Sequence, residues 1–211
     1  MPNYKLMYFK LRARGEPVRL MLALSGVSYE KEHFEFGSDE WNKTKCDDSK
    51  YPFNQLPVLE VDGTPIAHSM TILRYLGREY GYAPKSSLQQ ALADGIVDQC
   101  QDLTDYFIWL VFLEKDAKRK EKMKEKWKLI PTLKNFETIL KRNGSGWFVG
   151  DKLTYADIAF FGFFDVYVAF GKSETPKELD NFPLAKALYE RVKKEPKIAE
   201  YLKTRPDDLP I

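Results

Sequence analysis

The chain has 211 residues, 44% of them hydrophobic and 30% charged, enough to bury a sizeable core in one compact domain or two small ones. Its 33 basic and 31 acidic side chains leave a formal charge of +2, so no global field points to nucleic acid as a partner. The opening MPNYKLMYF lacks a basic leader with an apolar core, and no apolar run reaches the roughly 20 residues of a membrane helix; a cytosolic protein with no membrane partner is expected. Cys46 and Cys100 stand far apart and outside any CxxC or Cys/His spacing, which argues against a disulfide framework and against a metal site.

In chain order, Tyr4, Leu6 and Tyr8 alternate with Met7 and Phe9, the period of a strand that ends near Phe9. A helix is expected to begin around Gly15 to Pro17, since proline suits the first turn, and to stop at Gly26. Residues 27–36 read as a second strand, and GSDEWNKTKCDDSKYPFN as irregular chain. LPVLEV and TPIA then pair as a hairpin through Asp62-Gly63. Ser69 is the expected cap of a helix over 70–80 that buries Ile72, Leu73 and Leu76. The order strand, helix, strand, loop, strand, strand, helix describes a three-layer unit with a mixed sheet, assigned to residues 1–80.

Residues 81–211 are expected to form an all-helical second domain. Leu88, Leu92, Ile96, Cys100, Leu103, Phe107 and Leu110 trace one stripe, which predicts a single helix to about Glu114. The lysine-rich DAKRKEKMKEKWK is interrupted by acids and lacks interleaved stacking aromatics, so it reads as a solvated helix face and not as a nucleic-acid patch. Asn143 to Gly146 is a loop, and Thr154 to Asp157 has capping-box character ahead of the thirteen-residue apolar run IAFFGFFDVYVAF. That run is the expected central helix of the bundle. Phe182-Pro183 and Pro196 open two terminal helices.

Four features bear on chemistry, each with a structural alternative. Tyr8 is either a core aromatic or, standing with Arg14 where a strand enters a helix, a ligand-facing hydroxyl. Such a junction often carries a redox CxxC; here it has no cysteine, so any sulfur must arrive with a ligand. Pro57 is either an ordinary edge proline or a cis residue whose neighbour Val58 pairs with an extended peptide. Ser69, after His68, is either a plain cap or part of a carboxylate site at a helix start. Asp94, Asp98, Asp102 and Asp105, three or four apart on the long helix, are either solvated or met by cations from elsewhere. A small extended molecule with a thiol, a peptide-like middle, a carboxylate and an ammonium group suits this set, and glutathione has all of these.

PNYKLMYF with RARGEPVR, QLPVLEVDG, AHSMTILRYLGREYG and LTYADI resemble the sigma class of cytosolic glutathione transferases over essentially the whole chain. That resemblance implies a thioredoxin-like α/β domain followed by an all-α helical bundle, a homodimer, and glutathione as co-substrate with no metal. By position it implies Tyr8 as the catalytic hydroxyl with Arg14 assisting. It implies Trp41 and Lys45 at the glycyl end of glutathione, Gln55 and Leu56 at its backbone, and Ser69 at its γ-glutamyl carboxylate. His68 stands where the family usually has glutamine, and Asp98 would reach the γ-glutamyl amine in the neighbouring subunit. Phe9, Tyr106 and Trp109 are the candidate walls of an apolar pocket for the electrophile.

The expected activity is attack of the glutathione thiolate on small hydrophobic electrophiles, with a neutral Tyr8 hydroxyl stabilising the sulfur anion. Two other readings accompany it: a glutathione-dependent prostaglandin D isomerase, and a structural protein of the lens S-crystallin type. Ala13, in RAR where RGR is common in the family, is expected to be harmless, and the loop from Cys46 to Tyr51 is longer than usual.

Overall fold

In the computed structural model, which describes residues 2–171 and 176–205, the first strands form a four-stranded sheet. β1 (Tyr4–Phe9), β2 (Glu30–Phe34), β3 (Val58–Val61) and β4 (Thr64–Ala67) lie in the order β2-β1-β3-β4. β2 runs parallel to β1 with Tyr8 opposite His33, while β3 is antiparallel to β1 with Met7 opposite Val58. β1 is therefore an interior strand, and both of its side-chain rows need cover. Met7 joins Phe34, Trp41, Tyr51 and Val58 in one buried cluster, whereas Tyr4 on the other row meets Tyr80, whose hydroxyl donates to that of Tyr4 at 2.9 Å. The hairpin between β3 and β4 turns at Asp62 and Gly63, both at positive φ, as a two-residue turn matched to strand twist requires.

Helix α1 (Glu16–Ser25) carries Pro17 in its first turn and stops at Gly26, which takes φ +71. It packs against α3 (Ser69–Glu79). β2 is shorter than residues 27–36, because only the stretch from Glu30 to Phe34 pairs with β1. The stretch read as irregular contains a helix, α2 (Asp39–Thr44). Ser38 is its cap, accepting from the Trp41 N–H at 3.2 Å, and the burial of Trp41 against Phe9, Phe34 and Tyr51 holds this short element in place.

The chain divides into two compact units, Met1–Ala83 with Glu195–Ile211, and Pro84–Lys194. The second contains α4 (Ser87–Ile108), α5 (Ala117–Glu125), α6 (Leu129–Asn143), α7 (Tyr155–Gly171) and α8 (Pro183–Lys193). α4 does not run to Glu114 as an α-helix: it passes into a π-helical turn at Trp109–Leu113. Its predicted stripe is buried only in part, since Ile96, Cys100, Leu103 and Phe107 are covered while Leu88 and Leu92 are 71% and 57% exposed. α5 is highly charged and exposed along most of its length. α7 is the buried centre of this unit, packed on α4 and α8. It is capped as expected: Asp157 accepts from the Thr154 N–H at 2.8 Å and from the Phe148 N–H at 3.0 Å, and the Thr154 hydroxyl accepts from the Ala156 N–H.

The last helix, α9 (Pro196–Thr204), packs on α1 within the first unit. Lys197 Nζ donates to the Leu24 carbonyl at 2.9 Å, at the end of α1 where carbonyls lack helical partners. The expected end of the helical half at residue 211 lies outside the described residues. Among the described residues no helix is long and apolar enough to cross a membrane.

Candidate functional site

Tyr8 is the last residue but one of β1. Its side chain is buried, and the chain after β1 folds over it as a 3-10 turn, Ala13–Gly15, that leads into α1. Arg12 closes that turn through its carbonyl, which accepts from the Gly15 and Glu16 N–H groups at 3.1 Å each. Gly15 passes so close to the phenol that a β-carbon there would lie 2.4 Å from Tyr8 Cδ1. Only glycine permits that approach.

Burial pushes the Tyr8 phenol up to about 12, against the pull of Arg19, then of Arg14, and of hydrogen bonds from the Gly15 and Arg14 backbone N–H groups. The phenol is thus neutral at physiological pH. N–H groups directed at its oxygen leave the hydroxyl proton for another acceptor.

Arg19 is the group that the sequence reading missed. Its guanidinium sits 5.4 Å from the centroid of the Tyr8 ring, and it is buried. It donates to the Leu11 carbonyl at 3.0 Å and to the Phe9 carbonyl at 3.4 Å, so it holds the backbone that follows Tyr8. Its counter-ion is Glu16, fully buried, at 3.1 Å. A signal was available: EPVRLMLAL places a carboxylate and a cation three apart in an otherwise apolar helix, and charges on a buried face must pair.

The other candidate residues of the first unit cluster on the segments that follow. Lys45 is half-buried at the end of α2, and Trp41 is a member of the buried aromatic cluster. Gln55 is exposed and Leu56 half-buried, and the Leu56-Pro57 peptide is cis immediately before β3. Ser69 is buried and is the first residue of α3, while the cap position belongs to His68, at φ +67. No side chain caps α3, so the N–H groups of its first turn remain available to an anion. His68 is exposed, with its ring 4.9 Å from that of Phe53. Phe9 is half-buried and touches the rings of Tyr8, Phe36 and Trp41.

In the second unit Asp98 is exposed on α4. The four spaced aspartates differ from one another: Asp94 accepts from the Tyr155 hydroxyl at 3.0 Å and Asp105 from Gln101 at 2.6 Å, whereas Asp98 and Asp102 lie on the exposed side with Leu88 and Leu92. Tyr106 donates its hydroxyl to the Met123 carbonyl at 2.5 Å, and its ring lies tilted against that of Trp127 with centroids 5.5 Å apart. Trp109 is 51% exposed on the π-helical turn. Cys100 is buried, which pushes its thiol up, and Cys46 is exposed. Among the described residues no three His, Cys, Asp or Glu side chains are grouped to hold a metal ion.

A mixed sheet with a cis-proline strand, a tyrosine at its first strand-to-helix junction and an all-helical second unit define a thioredoxin-like domain followed by a helical bundle. Residues 4–78 match the family model for the glutathione S-transferase N-terminal domain, and residues 101–205 match that for the C-terminal domain. The chain belongs to the glutathione S-transferase family. It is 37% identical to "Glutathione S-transferase 4" of Caenorhabditis elegans, over 99% of this chain and 100% of that one. It is 38% identical to "Hematopoietic prostaglandin D synthase" of Gallus gallus, over 98% of each chain. Among solved structures, that of prostaglandin synthase D of Nilaparvata lugens superposes with a TM-score of 0.84 at 30% identity, covering 97% of this chain and 99% of that one.

Proposed function

We propose that this protein is a cytosolic sigma-class transferase that ionises the thiol of glutathione with Tyr8 and adds it to small hydrophobic electrophiles. A free thiol with a pKa near 8.5 is mostly protonated at pH 7, while the thiolate is the nucleophile. The neutral Tyr8 hydroxyl donates to the sulfur, and the positive potential of Arg14 and Arg19 favours the anion. The observation that carries this reading is the Tyr8 phenol, buried, kept neutral and flanked by two guanidiniums at the start of α1.

Glutathione would lie along the cis-proline segment, its cysteinyl backbone at Gln55 and Leu56, its glycyl end towards Trp41 and Lys45, and its γ-glutamyl carboxylate on the uncapped start of α3 at His68 and Ser69. A homodimer completes the site, with Asp98 meeting the γ-glutamyl ammonium of the partner's ligand. The uncovered face of α4 supports this: Leu88 and Leu92 share it with Asp98 and Asp102, and apolar side chains left bare beside charges mark an association surface.

The test is conjugation of glutathione to a chromogenic aryl halide by the purified protein, with glutathione binding measured in parallel. Conjugation is expected; binding without turnover would move the assignment to the structural, lens-protein reading. The similarity to prostaglandin D synthases gives a second reading a specific basis. Product analysis with a prostaglandin endoperoxide decides it: an isomerised product without net consumption of glutathione favours the isomerase.

A further inference from the structure

Helix α5 and the residues on either side of it concentrate charge. Residues 114–128 hold eight basic and four acidic side chains, a formal +4, while the whole chain carries +2, so the rest of the molecule is net acidic. The charges are also sorted by sign. Within α5 every charged pair four residues apart is like-signed: Lys118 with Lys122, Lys120 with Lys124, and Glu121 with Glu125. Such pairs weaken a helix, and a face that met only water would gain from alternating signs.

The inner face of α5 is fixed by its contacts. Lys120 Nζ donates to the Val111 carbonyl at 3.3 Å, the Met123 carbonyl accepts from the Tyr106 hydroxyl at 2.5 Å, and Trp127, just beyond the helix, sets its ring against those of Tyr106 and Phe107. Lys118 and Lys122 stand two residues either side of Lys120, hence about 200° around the helix from it, on the outward side. Lys115, Lys118, Arg119, Lys122 and Lys126 recur at i, i+3, i+4, i+7 and i+11, the spacing of a single face, and all five are exposed. Among the described residues none of the five is ion-paired, and the Glu121 carboxylate goes to Lys124 at 3.1 Å. Next to this stripe in the chain, Phe112 and Leu113 of the π-helical turn are 42% and 44% exposed.

We infer that the outward face of α5, together with Phe112 and Leu113, docks on an anionic lipid surface. The stripe supplies the positive charge that such a surface attracts. An aromatic and an aliphatic side chain beside it can enter the headgroup layer, and the two features together hold a protein on a bilayer without spanning it. Nucleic acid fits less well, because no aromatic is interleaved among the five cations and Trp127 is turned inward. An acidic protein would need a surface shaped to the stripe, whereas a fluid bilayer meets long cations that no carboxylate holds in place. For the transferase reading, on which this consequence alone rests, docking would bring the enzyme to the phase where hydrophobic electrophiles accumulate.

Vesicle flotation of the full chain tests the docking without glutathione or electrophile, so its failure is separate from failure of the transferase reading. The protein should float with phosphatidylcholine vesicles that contain phosphatidylserine, stay behind with phosphatidylcholine alone, and be released as salt rises. Lys118→Gln with Lys122→Gln should weaken binding roughly 25-fold, about fivefold for each cation. Phe112→Ser with Leu113→Ser should weaken it too, while the remaining binding keeps its salt dependence. Equal binding to both kinds of vesicle, binding that the two lysine changes leave intact, or no binding to either would overturn the inference. So would an oligonucleotide or polyglutamate that binds at least as tightly per charge as the vesicles, which would move the partner to nucleic acid or to an acidic protein.

Discussion

Gly15 and Tyr8 are matched in shape: the phenol ring lies against the glycine backbone so closely that a β-carbon at position 15 would stand 2.4 Å from Cδ1 and 2.6 Å from Cε1 of the ring. Gly15→Ala therefore has to displace either the turn or the tyrosine, and both Gly15 and Tyr8 are buried. Overpacking of this kind costs about 1 to 3 kcal/mol of stability. Conjugation should fall by more than that loss of folded protein explains, because the hydroxyl moves. Turnover per folded molecule, normalised by active protein, checks it; an unchanged value would mean that the hydroxyl keeps its place.

Tyr8→Phe removes the hydroxyl and little else. A hydrogen bond to a charged group contributes about 1.5 to 3 kcal/mol, so turnover should drop roughly tenfold to 150-fold and the pH at half-maximal rate should move up. Glutathione affinity near neutral pH should change far less, since the lost bond acts on the ionised sulfur. Rate against pH for the two proteins is the measurement. Superimposable profiles would return Tyr8 to the role of a core aromatic.

Asp98→Ala should weaken glutathione binding by about 1 to 3 kcal/mol through loss of a charge-assisted hydrogen bond in the dimer. Leu92→Glu, on the same exposed side of α4, should shift the protein towards monomer and weaken binding with it. Light scattering and calorimetry read both. A monomer that binds glutathione as tightly as wild type would remove the contact across subunits.

Ala13 takes φ +31, a region L-residues rarely adopt, which gives a reason for glycine being common there. The expectation that alanine is harmless meets this strain, which falls on the turn that covers Tyr8. Ala13→Gly should raise stability by about 0.5 to 1 kcal/mol, the relief of strain exceeding the greater entropy loss of glycine. Chemical denaturation measures it, and a loss of stability would show that the turn tolerates alanine without strain.

Burial pushes the Asp157 carboxyl up to about 6 although three hydrogen bonds from Thr154 and Phe148 oppose it. A carboxyl raised on folding binds its proton in the folded state first. Its contribution is therefore fully present below the unfolded value near 4 and is lost as pH rises through 6, a span worth about 2 to 3 kcal/mol. Asp157→Asn cannot titrate, and it sets a donor against a donor, so it should be less stable than wild type at every pH. The gap between the two should widen as pH falls from 7 to 4. A constant gap would mean that Asp157 is ionised throughout that range.

The element order was legible because its signals are local. Period-two alternation marked β1, Pro17 and Gly26 bracketed α1, Asp62-Gly63 turned the hairpin, and Thr154 with Asp157 capped α7. Each depends on residues within one turn of one another, where φ, ψ and a single hydrogen bond decide the outcome. Helix α2 escaped because six residues with a single buried anchor, Trp41, make no helical stripe. Leu88 and Leu92 misled for the converse reason: a stripe states which side chains could be buried, not what covers them.

The site divides the same way. Tyr8 stood out by its place at a strand end and Ser69 by its place at a helix start, while their assignment to glutathione came from the family resemblance. Arg19 and Glu16 lay in plain view but needed the fold to reveal that their helix face is the buried one. The link from Glu16 to Arg205, 189 positions apart, had no local signal at all, because packing α9 on α1 is what removes the water that would otherwise solvate both charges. Composition and periodicity determined a mixed α/β unit followed by helices. Only the tertiary structure decided which charges would be stripped of water together beneath Tyr8, since desolvation is a property of the whole packed unit and belongs to no short stretch of it.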